Sequence, residues 1–447
     1  MSQKNENSGA KRPTLKAARG TRDLLPDQTP LWNRVEATAR AVFARYGFGE
    51  IRTPMFEDTS LFSRAVGEET DIVGKEMFTW EDRARAASEK AQSLTLRPEN
   101  TAGVVRAYIE HQLGETGTLQ KLYYIAPQFR RERPQKGRYR QFWQIGAEVL
   151  GPPTSGSESP LRDAEVLEML SSLLNELGIR DWRLDLNSVG NAEDRARYNA
   201  ALRDALAPVK DKMSPDNQRR AETNPLRVLD SKDEADQEII DGLPKIADYL
   251  GEDSKAHFAA VLAALDACGV QYNLNPRLVR GLDYYTRTTF EFTVTTGLGT
   301  QNALLGGGRY DGLSEMLGGP RAPGIGFAIG EDRLILTLQA QAEADAAASG
   351  SAPAATKMDA YVAPIGTAQN PAALALAHDL RAAGLAVEVG DGSFKLGKSF
   401  GAADKLARHV VLVGEDEVAT GVFTVKTFAT GEQVKTAKDS LVEKLRV

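Results

Sequence analysis

The stretch that decides the fold is an arginine-rich segment, Gln128-Phe129-Arg130-Arg131-Glu132-Arg133-Pro134-Gln135-Lys136-Gly137-Arg138-Tyr139-Arg140-Gln141-Phe142-Trp143-Gln144. It holds six cations and one acid, although the whole chain has a net charge of −6. Arg140, Phe142 and Gln144 alternate with the period of a strand. Pro134 and Gly137 mark a loop before that strand. The segment therefore predicts two strands joined by a basic loop.

The residue types of this hairpin suit a nucleotide. Guanidinium groups bind phosphate oxygens bidentately and stay charged at any working pH. Aromatic rings beside them offer flat faces on which a purine base can stack. The segment favours a hairpin that holds a nucleotide against an aromatic floor, although a solvated basic hairpin is the alternative that these residues alone leave open.

Four further segments favour the nucleotide-binding interpretation over the solvated hairpin. They are Thr95-Leu96-Arg97-Pro98-Glu99-Asn100-Thr101-Ala102, Leu278-Val279-Arg280-Gly281-Leu282-Asp283-Tyr284-Tyr285-Thr286, Leu305-Gly306-Gly307-Gly308-Arg309-Tyr310-Asp311-Gly312-Leu313 and Gly324-Ile325-Gly326-Phe327-Ala328-Ile329-Gly330-Glu331-Asp332-Arg333-Leu334. With the hairpin, and in this order, they closely resemble the histidyl-tRNA synthetase family of class II aminoacyl-tRNA synthetases. The resemblance begins at Arg19 and continues almost to the C-terminus. The hairpin and the Arg333 segment are features of the whole class, whereas the segments of Arg280 and Gly306 are specific to the histidine enzymes.

Composition agrees with a large enzyme. A chain of 447 residues with 42% hydrophobic and 26% charged residues is typical of a globular protein of several domains. No apolar run approaches the roughly 20 residues that span a bilayer, so no membrane segment is expected. A single Cys268 and scattered histidines (His111, His257, His378, His409) identify no metal site and no Ser-His triad. The cytoplasm is the expected compartment, and any RNA contact is expected to be local.

The resemblance implies an α+β fold. Its parts are a class II catalytic domain on an antiparallel sheet flanked by helices, a helical insertion, and a C-terminal α/β anticodon-binding domain. The expected divisions are residues 1–16 as a disordered tail, 17–190 and 269–338 as the catalytic domain, 191–268 as the insertion, 339–357 as a linker, and 358–447 as the anticodon-binding domain. In this family the insertion faces the acceptor arm of the tRNA, and a passive helical spacer is the alternative.

Several elements are expected from periodicity. Apolar residues between Leu31 and Tyr46 follow a helical stripe, and 48–56 reads as one strand containing Pro54. In class II enzymes this helix, strand and proline form a dimer interface, so the resemblance implies a homodimer. Alternating strands and helices beyond residue 358 predict a small domain with a mostly parallel sheet.

The chemistry that the resemblance implies needs no protein nucleophile. The carboxylate of L-histidine attacks the α-phosphate of ATP and expels pyrophosphate, so positioning and charge stabilisation supply the rate. The family's ATP-binding roles fall on Arg130 at the α-phosphate, Arg138 and Arg333 at the outer phosphates, Glu132 beside the nucleotide and Phe142 under the adenine. Arg333 is expected to follow a glycine-rich turn. Mg²⁺ is expected with ATP, and the sequence does not identify its ligands.

Arg280 is the distinctive member of the catalytic set. In the family an arginine of this segment approaches the α-phosphate opposite the hairpin arginine, so Arg130 and Arg280 would flank the same phosphorus atom. An ion pair between Arg280 and Asp283 on a turn is the structural alternative.

The histidine-binding roles of the family fall on a second group of residues. Glu99 and Thr101 match the ammonium end, Glu148 and Tyr285 the imidazole, with Gln144 and Tyr284 alongside and Tyr310 closing the pocket. Arg130 and Arg280 also contact the substrate in the family. A buried salt bridge is the alternative for Glu148. Transfer to the 3′-terminal ribose of tRNA(His) would involve Arg133 and Gln135 at the acceptor end.

Two residues depart from the family pattern, and two other functions are alternatives to the one that the resemblance implies. Asn100 stands where many relatives have glycine, and Asp332 replaces the commoner glutamate before Arg333, which puts the role of that acid in doubt. A synthetase-like regulatory subunit of histidine biosynthesis would lack the Arg280 and Gly306 segments and the C-terminal domain. A threonyl or prolyl enzyme would share the hairpin but not Tyr284-Tyr285 after Arg280.

Overall fold

The computed structural model describes residues 14–67, 70, 72–82, 91–133, 137–282, 284–299, 302–349 and 357–446. Most of the predicted tail, residues 1–13, lies outside this range. The described residues fall into two compact units, within Met1–Ala348 and Ser349–Val447. Among the described helices, none is long and apolar enough to cross a membrane.

The first unit is built on mixed strands and helices. Its strands are β1 (Gly49–Glu50), β2 (Phe56–Asp58), β3 (Phe78–Asp82), β4 (Gln92–Leu96), β5 (Gln120–Phe129), β6 (Gln141–Leu150), β7 (Trp182–Ser188), β8 (Asn273–Leu274), β9 (Thr286–Val294), β10 (Ala303–Arg309) and β11 (Gly324–Gly330). Its helices are α1 (Thr29–Arg45), α2 (Thr59–Val66), α3 (Thr101–Glu110), α4 (Pro160–Leu177), α5 (Ala192–Leu206), α6 (Pro215–Thr223), α7 (Gln237–Asp241), α8 (Glu252–Cys268), α9 (Leu313–Met316) and α10 (Glu331–Ser349).

The large sheet has the order β1-β5-β6-β11-β10-β9-β7-β8 and is antiparallel except at its two outer pairs. Strands β5 and β6 pair from Gln120 opposite Leu150 to Phe129 opposite Gln141, which confirms the predicted hairpin. On one face, Tyr123, Ile145 and Ala147 pack into the main core with α1 and α4. Because side chains alternate along a strand, Gln144 and Glu148 project from the opposite face. That face carries the candidate site.

The single strand predicted over 48–56 is wrong, because the structure has two short strands, β1 and β2, with irregular backbone between them. The guanidinium Nη1 of Arg97 donates to the carbonyl oxygens of Thr53 at 2.8 Å and Pro54 at 3.1 Å. These carbonyls therefore serve a buried arginine instead of a neighbouring strand. A second sheet, β2-β4-β3, begins directly after this break.

The predicted insertion is largely helical, and the 225–230 segment inside it is a 3₁₀ helix. Residues from Tyr198 to Leu250 share a separate apolar cluster. Helix α8 differs, because its Val261 and Leu265 belong to the main core beside α4. Helix α8 therefore lies outside the separate core of this region, which instead includes Val189 and Val279 from the two sides of the insertion.

The linker predicted over 339–357 is wrong in its first half. Residues 339–349 continue α10, and Gln341 is buried. Alanine is the strongest helix former, so the alanine-rich composition that suggests a linker also supports a helix. The segment 350–356 lies outside the described residues.

The second unit is a five-stranded sheet with helices. Its elements are β12 (Met358–Pro364), α11 (Asn370–Ala382), β13 (Val387–Val389), α12 (Leu396–Leu406), β14 (Ala407–Val413), α13 (Glu415–Thr420), β15 (Val422–Thr427), β16 (Gln433–Ala437) and α14 (Leu441–Arg446). The order is β13-β12-β14-β15-β16. The first three strands are parallel, as predicted. The sheet is not mostly parallel, however, because β15 and β16 add two antiparallel pairings.

Candidate active site

The structure brings the predicted nucleotide-binding arginines to one cavity of about 330 Å³ on the face of the large sheet. Arg130 and Arg138 reach it from the hairpin, Arg280 from the segment before β9, and Arg333 from the start of α10. Phe142, on β6, also lines it. Arg130 and Arg280, separated by 150 positions in the chain, therefore face the same space.

Arg130 is held by the backbone on two sides. Its Nε donates to the carbonyl oxygen of Pro98 at 2.9 Å, and its backbone N–H donates to Arg140 O at 2.9 Å. The guanidinium carbon lies 5.3 Å from the centre of the Phe142 ring, within cation–π range. These contacts fix the base of the side chain at the wall of the cavity that it lines.

Arg280 is held by one carboxylate and one glycine. Its Nη1 donates to Glu291 Oε2 at 2.7 Å, and a Cβ on Gly306 would lie 2.5 Å from its Nη2. Glycine at 306 is therefore what lets the guanidinium lie against β10. Burial alone lowers the pKa of Arg280, but Tyr285 and Glu291 together hold that pKa above its usual value. Asp283, the alternative partner, lies outside the described residues.

Arg333 and Arg138 form a second pair of cations. Arg333 Nε donates to Ala303 O at 2.7 Å, and Arg138 Nη1 lies 3.3 Å from Glu132 Oε2. Burial and the neighbouring Arg138 lower the pKa of Arg333. Two cations that destabilise each other are suited to an anion with several charges.

The glycine-rich turn predicted before Arg333 is wrong, because Gly324–Gly330 is strand β11 in the interior of the sheet. Because its glycines have no side chains, side chains of neighbouring elements can lie close to this strand. A Cβ on Gly326 would lie 1.7 Å from Glu148 Oε2, and a Cβ on Gly330 would lie 3.2 Å from Arg333 Cδ. The missing side chains therefore make room for a carboxylate and an arginine.

Glu148 lies in a buried cluster of polar side chains that the arginine cavity does not include. Its side chain is 0% exposed, and it accepts hydrogen bonds from Thr101 Oγ1 and Tyr310 Oη, each at 2.7 Å. Burial raises the pKa of Glu148 to about 8. No cation pairs with Glu148 among the described residues, so the salt-bridge alternative is wrong for this part of the chain.

Glu99 lies beside it at the N-terminus of α3. Its carboxylate accepts from the backbone N–H groups of Thr101 at 2.7 Å and Ala102 at 3.0 Å. Burial raises the pKa of Glu99 although both hydrogen bonds oppose the shift. The carboxylate is thus oriented by two fixed donors and shielded from water.

Three tyrosines pack around this buried cluster. The ring centres of Tyr284 and Tyr285 lie 4.7 Å apart, and those of Tyr284 and Tyr310 lie 6.0 Å apart, edge to face. Arg309, next to Tyr310, is fully buried and paired with Asp163 and Asp311. This anchor fixes the end of β10 from which Tyr310 reaches Glu148.

Sequence analysis missed three residues of the site. Tyr124 is buried beside Glu148, and burial together with that carboxylate raises the pKa of its hydroxyl. Glu291 orients Arg280, and the exposed Lys232 lines the arginine cavity from the insertion. Strand alternation could have placed Tyr124 on the face of Glu148. No local pattern marks Lys232 or Glu291.

Some predicted residues lie elsewhere or have another role. Arg133 is exposed and is not among the residues lining the cavity, and Gln135 lies outside the described residues. Gln144 lines the cavity, and its buried Oε1 has no partner within the described chain. Asp332 accepts from Arg22 Nη2 at 2.7 Å and from the Trp143 backbone at 3.2 Å. The acid before Arg333 therefore ties the N-terminal segment to the hairpin.

Metal-binding clusters are not part of this arrangement. The described residues contain no group of three or more His, Cys, Asp or Glu side chains that could hold a metal ion. Among the described residues, the carboxylates that line the arginine cavity are Glu76, Glu132, Glu291 and Asp332, and the last three each pair with an arginine.

Comparison with known proteins agrees with both units. Residues 20–334 match the family model described as histidyl-tRNA synthetase, and residues 359–447 match the anticodon binding domain. The histidine–tRNA ligase of Koribacter versatilis is 66% identical over 97% of this chain and 96% of its own length. That of Solibacter usitatus is 53% identical over 96% and 99%. The crystal structure of the apo histidyl-tRNA synthetase of S. aureus has a TM-score of 0.77 at 35% identity, covering 97% of this chain and all of that one (100%). The chain belongs to the histidyl-tRNA synthetase family of class II aminoacyl-tRNA synthetases.

Proposed function

We propose that this chain ligates L-histidine to tRNA(His), with ATP as the second substrate and a histidyl adenylate as the intermediate. The observation that carries the proposal is that Arg130 and Arg280 line one cavity from opposite parts of the chain. A carboxylate that attacks the α-phosphate creates a pentacovalent phosphorus with extra negative charge. Two preorganised cations stabilise that charge in the transition state.

The rest of the arginine cavity suits the remainder of ATP. Arg138 and Arg333 would bind the outer phosphates and release them as pyrophosphate, while the Phe142 ring would stack on adenine and Glu132 would contact the nucleotide. Mg²⁺ commonly joins one or two carboxylates to substrate phosphates. Glu132 and Glu291 are the residues that would hold it, and the ion would neutralise phosphate charge.

The buried pocket suits L-histidine. Glu99, fixed by two backbone donors, would receive the α-ammonium together with Thr101. Glu148 and Tyr285 would hydrogen-bond the imidazole nitrogens, with Gln144 and Tyr284 beside them and Tyr310 enclosing the ring. A pocket built to hydrogen-bond a ring rejects amino acids that lack its nitrogens by roughly 10⁴-fold or more.

Transfer then moves the histidyl group to the 3′-terminal ribose of tRNA. We assign Arg133 and Gln135 to the acceptor end and the second unit to the anticodon. We also place the chain in the cytoplasm, since Cys268 is an exposed free thiol and no disulfide is present among the described residues. The domain divisions given above stand as part of this proposal, with α8 assigned to the catalytic domain because it packs in the main core.

We further propose a homodimer through the region of Pro54. Met55 and Phe56 are each 52% exposed and Trp80 is 40% exposed, and Phe56 and Trp80 meet edge to face at 6.0 Å. An exposed apolar group of this kind marks a protein interface. Sedimentation equilibrium should give twice the chain mass for the wild type and a monomer for Phe56→Asp, and a monomeric wild type would refute the dimer.

The direct test of the function is ATP–pyrophosphate exchange, measured with each of the twenty amino acids in turn. We expect exchange with histidine alone, followed by transfer to tRNA(His). A regulatory paralogue would show no exchange with any amino acid, and another class II synthetase would respond to a different one.

A further inference from the structure

A second cavity, of about 380 Å³, lies on the other side of Arg280. It is enclosed by α5, by the 3₁₀ segment that begins at Pro225, and by the chain from Val279 to Thr289. Its volume is that of an ordinary ligand pocket. Arg280 and Tyr285 line it, so it adjoins both the arginine cavity and the histidine pocket without being part of either.

The charged side chains that line this second cavity, among the described residues, are all positive. Arg195, Arg203, Arg227 and Arg280 line it, and no carboxylate does so among its described lining residues. Neither Arg203 nor Arg227 forms an ion pair with any residue that the structure describes. Arg227 Nη1 lies 3.1 Å from where a Cβ on Gly281 would stand, so its cation is held beside the residue that follows Arg280. Arg203 and Arg227 are therefore two cations without an acidic partner in the described chain, and an anionic ligand would relieve the repulsion between them and their neighbours.

Phosphate is the anion that fits this set of donors. Several guanidinium groups around one opening offer the forked donors that phosphate oxygens accept. The arginine cavity already provides Arg138 and Arg333 for the phosphates of ATP. The remaining substrate with phosphates is the tRNA strand, whose terminal hydroxyl must reach the activated carboxyl group beside Arg280.

We infer that the second cavity binds a backbone phosphate of the 3′-terminal strand of tRNA, next to the nucleotide that receives the histidyl group. The inference rests on the proposed function. It also gives the insertion a direct part in the reaction, because Arg195, Arg203 and Arg227 all come from the region between β7 and β8.

The test separates the two half-reactions. Arg203→Gln and Arg227→Gln are each compared with wild type in pyrophosphate exchange, which needs no tRNA, and in single-turnover transfer from preformed, enzyme-bound histidyl adenylate. Transfer should fall at least tenfold more than exchange in both variants. Arg219→Gln is the matched control, because Arg219 is an exposed arginine of the same region that does not line the cavity. Arg227→Lys should recover part of the transfer rate.

Salt dependence gives a second readout that a merely structural role would not move. Each phosphate contact to a single strand contributes about −0.7 to the slope of log affinity against log salt. Each glutamine variant should therefore bind tRNA with a slope shallower by about that amount. If KM for pyrophosphate rises in the exchange assay instead, the cavity serves pyrophosphate and the inference is wrong. Equal losses in both half-reactions, or none in either, also contradict it, whereas a wild type that fails to exchange with histidine refutes the proposed function itself.

Discussion

The arginine cavity and the buried cluster around Glu148, which we propose binds histidine, lie on one face of the large sheet, yet they use charge in opposite ways. In the cavity, Arg138 and Arg280 have side chains that are 42% and 22% exposed, and each pairs with a carboxylate. In the pocket, Glu148 is fully buried and its partners are hydroxyl groups. In the proposed function, a polyanion would be met by cations where water can still enter. A small ring would be met by oriented hydrogen bonds where water is excluded, which is the condition for selectivity.

The largest effect should come from the cavity. Arg280→Ala removes one of two cations at the α-phosphate, and losing one preorganised donor costs roughly 10²–10³-fold in rate. We expect a fall of that size in histidine-dependent pyrophosphate exchange. Arg277→Ala is the control, since Arg277 is three residues away and pairs with Asp241 outside both cavities. Exchange near the wild-type rate in folded Arg280→Ala would remove the role assigned to Arg280.

A substitution in the pocket should have a smaller effect than Arg280→Ala, and it should change the kinetics with histidine but not those with ATP. Above pH 8, where the carboxylate of Glu148 is mostly ionised, Glu148→Gln keeps the shape but removes the charge that would accept from the imidazole. Loss of a buried hydrogen bond to a charged group costs about 1.5–3 kcal/mol, or roughly 10–100-fold in kcat/KM for histidine. KM for ATP should stay within about threefold. A comparable rise in KM for ATP would mean that the two regions are not separate.

The same carboxylate predicts a pH dependence. Burial raises the pKa of Glu148 to about 8, so in the free protein this group is mostly protonated at neutral pH. An ionised acceptor for the imidazole N–H forms only as pH rises, so kcat/KM for histidine should increase up to about pH 8 and then level off. Glu148→Gln should lack this rise, and a variant with the wild-type profile would assign the pH dependence to another group.

A glycine tests how tightly the pocket is built. Gly326→Ala places a Cβ against Glu148 Oε2, while Gly312→Ala meets nothing within 4 Å and is the control. Overpacking of this kind costs about 1–3 kcal/mol, so we expect Gly326→Ala to lose stability and about tenfold in kcat/KM for histidine. Calorimetric unfolding and exchange assays measure both. Equal behaviour of the two variants would contradict the close fit of Glu148 against β11.

The last prediction concerns the stability of the protein and a buried acid outside both regions. Glu331 is fully buried, and neither carboxylate oxygen has a partner among the described residues. Burial, together with Glu36 and Asp332, raises its pKa to about 9. Between about pH 5 and 9 the folded state therefore holds a proton that the unfolded state has released, and wild-type stability falls as pH rises.

Glu331→Gln has no such proton to hold. Its free energy of unfolding relative to wild type should rise by about 1 kcal/mol per pH unit across that window. Urea unfolding of both proteins at pH 5.5 and pH 8 measures the change, and subtraction cancels the groups that they share. A difference that does not vary with pH would show that Glu331 is ionised in the folded protein.

Sequence patterns predicted most where the chemistry requires particular residue types. The hairpin around Arg130, the fold class and helix α1 follow from periodicity and from segments whose residues must meet a nucleotide. Gly306 and Gly326 belong to segments that carry the family resemblance. The physical reason for a glycine at these positions is that it leaves room for Arg280 and Glu148, and only the structure shows those contacts.

The rest depends on contacts between distant residues. The strand predicted over 48–56 is broken because Arg97 donates hydrogen bonds to the carbonyl oxygens of Thr53 and Pro54. No local sequence pattern predicts that contact. The linker was mistaken because alanine-rich composition suits both a tether and a helix. Lys232 and Arg227 line the two cavities because of how the chain of the insertion is folded, and periodicity does not predict that fold.

The central claim is that Arg130 and Arg280 flank one phosphorus atom. The most direct measurement is a crystal structure of the chain with a sulfamoyl analogue of histidyl adenylate, in which the sulfamoyl group stands in for the α-phosphate. Guanidinium nitrogens of both arginines should lie within about 3 Å of the sulfamoyl oxygens, on opposite sides. A complex in which either guanidinium points to solvent, or contacts another part of the ligand, would contradict the claim.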